Sequence, residues 1–186
     1  MTAEQLNSIL DSLCCLSAEN EIVEFKEAKN NYDFSKLGKY FSALSNEANL
    51  KGMSCAWLVF GVEDKKHQIV GSQFRASRKD LDSLKGEIAK KSTNNISFIE
   101  IHEIIKSEGR VILFQIPAAP KGIPIAFDGH FYARDGEELA PLNIEKIERI
   151  RAQNIKEEWS AVIVPEANIE DLDEDAIALA KKNYKN

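Results

Sequence analysis

The sequence predicts an α+β fold, mixed α/β in character: a single domain whose mixed sheet, with hairpins, is flanked by about four helices. Three observations carry this. Apolar residues at helical spacing alternate along the chain with strand-like runs. Residues 54–62, SCAWLVFGV, form a continuous apolar run of the kind that fills a central strand. Two turn signals, KSEG and DG, each separate a pair of strand-like segments.

Each element follows from its own pattern. Residues 4–16 place Leu6, Ile9, Leu10, Leu13 and Leu16 on one helical face. A strand is expected over about 21–27, where Glu21, Val23 and Phe25 alternate with Ile22, Glu24 and Lys26. Asp33 is placed to cap a second helix whose face carries Leu37, Tyr40, Phe41 and Leu44. The apolar run at 54–62, the polar turn EDKKHQ and the following IVG predict a hairpin over 55–71. A third helix is expected over 77–91, opened by Ser77 and Asp80 as a capping-box variant. ISFIEIHEII and RVILFQIP read as paired strands across KSEG. Pro117, Pro120 and Pro124 then interrupt regular pairing. IAFDGHFYARDG reads as a tight hairpin, with His130 to Arg134 as its second strand, and residues 143–153 as a fourth helix. The final 30 residues combine a short apolar stretch, an acidic run and a helix-like end. They are expected to lead towards further domains or to dock on a partner.

Composition bounds the function. The chain has 186 residues, 44% hydrophobic and 29% charged, which excludes a disordered or low-complexity chain and suits one domain. Cys14, Cys15 and Cys55 lack disulfide or metal-ligand spacing, and the adjacent pair reads as reduced core residues. His67, His102 and His130 are scattered, so a zinc site is not expected. No apolar run approaches the ~20 residues of a membrane span, and no basic start precedes an apolar stretch as in a secretory signal. A cytoplasmic protein without a membrane partner is the expectation. The glycines form neither GxGxxG nor GxxxxGK[ST], and no GxSxG occurs.

Two constellations carry chemistry. Glu19 precedes the first strand, Glu24 lies on it, and Asp64 follows the buried strand. If those strands pair, three carboxylates converge at one sheet end. Such a set can hold Mg²⁺ or Mn²⁺, because hard cations prefer oxygen ligands, and the ion can activate water against a phosphodiester. Lys26, two residues from Glu24, shares its face and can contact a phosphate or pair with Glu24. The second constellation is YARDG, where Arg134 can reach a phosphate and Tyr132, on the same strand face, can stack on a base.

In this order, ENEIVEFKEA, FSALSNEA, AWLVFGVEDKKHQIVGS and PIAFDGHFYARDGEELAP resemble the Schlafen AlbA-like domain, formerly described as a divergent AAA-type domain. The resemblance covers about residues 17–150. It implies an N-terminal domain at 1–152 of a bacterial transcriptional regulator of the kind often labelled RecG-like helicase or ATP-binding, followed at 153–186 by an acidic linker and helix leading to C-terminal domains. It also implies that the three carboxylates of the family's tRNA- and rRNA-cleaving members fall on Glu19, Glu24 and Asp64, the family lysine on Lys26 and the family arginine on Arg134. One departure is NEANLKGMSCAW, which stands where the family often has a tight Asn-Thr-x-Gly-Gly turn. A single copy of the domain needs a homodimer to line a clamp-like groove.

The reading is therefore a nucleic-acid-binding domain, for DNA or RNA, with Lys26, Lys36, Lys39, Arg75, Tyr132 and Arg134 as contact residues. The alternatives are a divalent-metal-dependent endoribonuclease using Glu19, Glu24 and Asp64, and a protein-interaction or dimerisation module. The net charge of −6 speaks against nucleic acid only as an average. Residues 157–186 hold 3 Lys+Arg against 8 Asp+Glu, whereas residues 26–91 hold 13 against 8.

Overall fold

The computed structural model describes residues 1–15, 21–136, 138–153, 168, 171 and 173–184. The chain divides into two units, residues 1–154 and 155–186. In the second, Glu174–Tyr184 forms a helix, labelled α5 below, with Glu174 and Asp175 in its first turn and Lys181 and Lys182 in its last, the arrangement a helix dipole favours.

The first unit opens with α1, Ala3–Cys14, capped by Thr2 in a capping box with Gln5. Strand β1, Val23–Lys26, leads into α2, Phe34–Leu50, and on to β2, Cys55–Phe60. Strands β1 and β2 pair in parallel, so β1-α2-β2 is a crossover unit. Helix α3, Arg78–Ala89, and a 3-10 turn at Thr93–Asn95 precede β3, Glu100–Lys106, and β4, Gly109–Pro117. Strand β4 inserts antiparallel between β2 and β3, giving a mixed sheet in the order β1-β2-β4-β3. A smaller antiparallel sheet follows: β5, Ala126–Phe127; β6, His130–Asp135; β7, Glu138–Pro141. Helix α4, Ile144–Ala152, closes the unit under an Asn143 cap.

Burial explains the layering. On one face of the larger sheet, Leu10 and Leu13 of α1 pack against Phe25, Val59, Val111 and Leu113. On the other, Leu37, Phe41 and Leu44 of α2 and Leu81, Leu84 and Ile88 of α3 pack against Leu58, Phe60, Ile112 and Phe114. Each such side chain, fully enclosed, contributes roughly 1.5–3 kcal/mol. Helix α2 is buried nearly all round because the smaller sheet covers its far side. Ser42 and Asn46 donate from it to the Ile125 carbonyl at 2.7 and 2.9 Å, and Asn46 donates also to the Tyr132 carbonyl at 3.0 Å. Ala133, Leu142 and Ile150 form a third, smaller cluster under α4.

The mixed α+β architecture agrees with the sequence reading, including the caps at Asp33 and Ser77, whose side chains accept from Lys36 and Asp80 N–H groups. The DG turn is also as expected: Asp128 and Gly129 have φ of 48° and 78°, the left-handed pair a two-residue hairpin needs. Two expectations are corrected. No hairpin spans 55–71; its return segment makes one isolated bridge, Val62–Ile69. Both edges of β2 are already bonded, to β1 and β4, so a returning strand has no place to pair. Gly61, at φ 89°, turns the chain away where a Cβ would lie 2.5 Å from the Arg110 carbonyl oxygen. Second, the cysteines are free, but Cys14 is half-buried and Cys15 exposed. Cys14, at the end of α1, still packs against the edge of the Leu10–Leu13 cluster, whereas Cys15 lies outside it.

Candidate functional site

Strand alternation makes the site. Val23 and Phe25 of β1 face α1, so Glu24 and Lys26 face α2, level with Leu58 and Phe60 of β2. Glu24 is thereby carried inside, 3% exposed. A buried carboxylate is tolerable only when paired, and two cations meet it. Lys26 Nζ lies 2.5 Å from Oε1, and the Arg134 guanidinium pairs with Oε2. Both cations lie over the Tyr40 ring of α2, Lys26 Nζ at 5.5 Å and Arg134 Cζ at 5.8 Å from its centroid.

Arg134 comes from β6, so the pair joins the two sheets. Its backbone N–H donates to Glu47 Oε1 at 3.3 Å. Glu47, 2% exposed on α2, takes Lys146 of α4 at 2.5 Å, and the same ammonium donates to the Arg134 carbonyl at 3.1 Å. Two buried carboxylates on neighbouring elements thus orient one arginine.

Asp64 sits on the turn after β2 with its side chain 60% exposed, and its Oδ2 lies 3.0 Å from Lys26 Nζ. Glu24 and Asp64 therefore approach each other across a shared ammonium. Tyr32 stacks on Phe60 at 4.7 Å between centroids. Its hydroxyl is enclosed and meets no hydrogen-bond partner among the described residues. Burial pushes the Tyr32 phenol up, Tyr40, Asp33 and Asp64 add to this, and Lys26 opposes it. Burial likewise raises Tyr40, with Asp64 adding to it.

The expected contact residues divide. Lys36 is exposed on the first turn of α2, four residues before Tyr40 and on the same helical face. Lys39 lies over the Tyr132 ring, 5.7 Å from its centroid. Lys26, Lys36, Lys39, Tyr132 and Arg134 thus gather around the N-terminal half of α2, with Arg134 enclosed beneath. Arg75 lies elsewhere. Its guanidinium makes two 2.7 Å hydrogen bonds to Glu87 of α3 and donates to the Asp80 carbonyl. The Glu87 bond holds the Arg75 guanidinium above its ordinary range.

Glu19 lies outside the described residues. Among those described, no group of three or more His, Cys, Asp or Glu gathers. Both Glu24 oxygens face cations, and Lys26 stands between Glu24 and Asp64, where an ion bound by the two would sit. The described residues in this arrangement do not fit a divalent metal. Tyr32, Glu47 and Lys146 were not singled out by the sequence. Glu47 and Lys146 are 99 residues apart, and no local spacing signals that they pair.

A family model described as Schlafen, AlbA_2 matches residues 19–143. Among curated proteins, none matches. Among solved structures, the DIP2311 protein from Corynebacterium diphtheriae is similar at 22% identity and a TM-score of 0.56, covering 96% of this chain and 34% of that one. This chain thus spans about a third of that protein's length. The N-terminal domain of a RecG-related protein from Nitrosomonas europaea is similar at 21% identity and a TM-score of 0.46, covering 74% of this chain and 91% of that one. No helix among the described residues is long and apolar enough to cross a membrane.

Proposed function

The chain belongs to the Schlafen AlbA_2 family, and from that premise we propose that it binds nucleic acid, DNA or RNA, as the N-terminal module of a transcriptional regulator. The observation that supports this is that Lys26 lies over Tyr40 and Lys39 over Tyr132, with Lys36 exposed on the first turn of α2. Lysines there neutralise backbone phosphates, and an aromatic ring beside them offers a base a stacking surface. Arg134 acts from below by anchoring Glu24, which in turn aims Lys26. A homodimer would place two such faces along one strand.

Fluorescence anisotropy with labelled duplex DNA, single-stranded DNA and structured RNA tests the reading. Affinity is expected to fall steeply between about 50 and 200 mM salt. Lys36→Ala and Lys39→Ala are each expected to reduce the slope of log affinity against log salt on duplex DNA by about 0.9. Absence of binding at low salt, or binding indifferent to salt, overturns it. A particle that enlarges with protein concentration alone would instead favour an interaction module.

A second reading, a metal-dependent endoribonuclease using Glu19, Glu24 and Asp64, rests on the closeness of Glu24 and Asp64 and requires an ion to displace Lys26 from between them. Cleavage of structured RNA with Mn²⁺ that disappears in Asp64→Ala would support it. Equal cleavage by parent and variant would exclude it.

A further inference from the structure

We propose that Lys26 and Tyr32 form a subsite for a phosphate oxygen of the nucleic-acid backbone, and that Asp64 covers it in the free protein as an internal competitor. This rests on the nucleic-acid reading above and gives that surface a contact point and a gate.

The asymmetry of the two carboxylates on Lys26 carries the inference. Glu24 is enclosed, its side chain 4% exposed, and is held from its other oxygen by Arg134. It is a permanent partner that fixes where the ammonium points. Asp64 is 60% exposed on a turn, and its ion pair among the described residues is with Lys26. An exposed pair of that kind is weak and exchanges readily with an incoming anion. A phosphate oxygen is the same sort of acceptor as a carboxylate oxygen, and a nucleic acid adds the release of its counterions. The ammonium keeps Glu24 and exchanges Asp64.

Tyr32 supplies an independent observation. Its ring rests on Phe60, the residue that pairs in register with Lys26 across β1 and β2. Its ring is therefore at the same end of the sheet as Lys26, and its hydroxyl is enclosed and without a partner among the described residues. Enclosed hydroxyls normally have one, and a phenol has one hydrogen to donate. Lys26 and Asp64 both act electrostatically on this phenol, and burial keeps it protonated. A protonated phenol at the sheet end that carries the ammonium supplies a second donor for an anionic oxygen.

The test is anisotropy of a labelled single-stranded DNA and its RNA counterpart at low salt, using the full chain. Four proteins are compared: the parent, Asp64→Asn, Tyr32→Phe, and Glu63→Gln. The last removes a neighbouring charge outside the site and so measures the effect of charge alone. Asp64→Asn is expected to bind about two- to fivefold tighter than the parent, and tighter than Glu63→Gln. Tyr32→Phe, which keeps the ring on Phe60, is expected to bind about two- to tenfold more weakly. Asp64→Asn binding no tighter than Glu63→Gln overturns the gate, and unchanged affinity in Tyr32→Phe overturns the subsite. Weaker binding by Asp64→Asn with loss of Mn²⁺-dependent cleavage overturns both in favour of a metal ligand. If the parent itself binds neither probe, the failure lies with the nucleic-acid reading.

Discussion

Glu24 carries its carboxylate to a position 3% exposed, where Lys26 and Arg134 both meet it. Removing the charge leaves the Arg134 guanidinium, 4% exposed, without its anion. Breaking a buried pair from one side costs about 3–5 kcal/mol, because the orphaned charge cannot return to water. Glu24→Gln is therefore expected to lower the urea midpoint by a corresponding amount at unchanged slope. A loss below about 1 kcal/mol would mean the pair behaves as a solvated one. This bears on any functional assay, since lost activity in a Glu24 variant is informative only where the protein is still folded. Arg75 contrasts with Arg134. Its pairing with Glu87 braces the segment before α3, and it contributes at the scale of a surface ion pair. What separates the two arginines is which element each meets in space.

Helix α2 is the element on which the fold converges. Its burial on nearly every side follows from lying between the two sheets, and Gly38 makes that possible. A Cβ at Gly38 would lie 2.1 Å from the Phe127 ring. Gly38→Ala is thus expected to destabilise by about 1–3 kcal/mol through overpacking, although alanine in place of glycine favours an isolated helix by about 1 kcal/mol. A thermal melt decides the sign, and a raised midpoint would show that Phe127 can move aside. The helices, the caps at Asp33 and Ser77 and the two hairpins were legible in the sequence because each is set by neighbours a few residues away. The parallel pairing of β1 with β2, and the position of β4 between β2 and β3, were not. They join segments tens of residues apart, and no turn chemistry marks them. The failed hairpin over 55–71 has the same origin: its turn residues are local, but occupation of both edges of β2 is not.

At the scale of the molecule, charge pairing across elements sets the response to acid. The hydrogen bond from Lys85 is the main cause that holds the Glu100 carboxyl at about 2 instead of its ordinary 4.5, joining α3 to β3. Because the folded value is the lower one, the contribution of Glu100 is fully present above about pH 4.5 and is lost as pH falls towards 2. The stability difference between the parent and Glu100→Gln is expected to shrink across that window in acid-unfolding curves. A difference constant with pH would contradict it. The division of charge along the chain, with the acidic excess in the last 30 residues, is likewise a property of the whole. The α+β class, most element boundaries, the caps at Asp33 and Ser77 and the turn at Asp128–Gly129 are readable from the sequence, since these depend on periodicity and local backbone chemistry. The sequence also brought Glu24, Lys26, Asp64 and Arg134 to notice. The tertiary contacts alone place Lys26 between Glu24 and Asp64, enclose Arg134 as an anchor, and set the Tyr32 ring on Phe60 at the same end of the sheet. A side chain's charge can be read from its letter. Its partners depend on which distant segments the core brings within a few ångströms, and burial then determines whether that charge is free to meet a ligand.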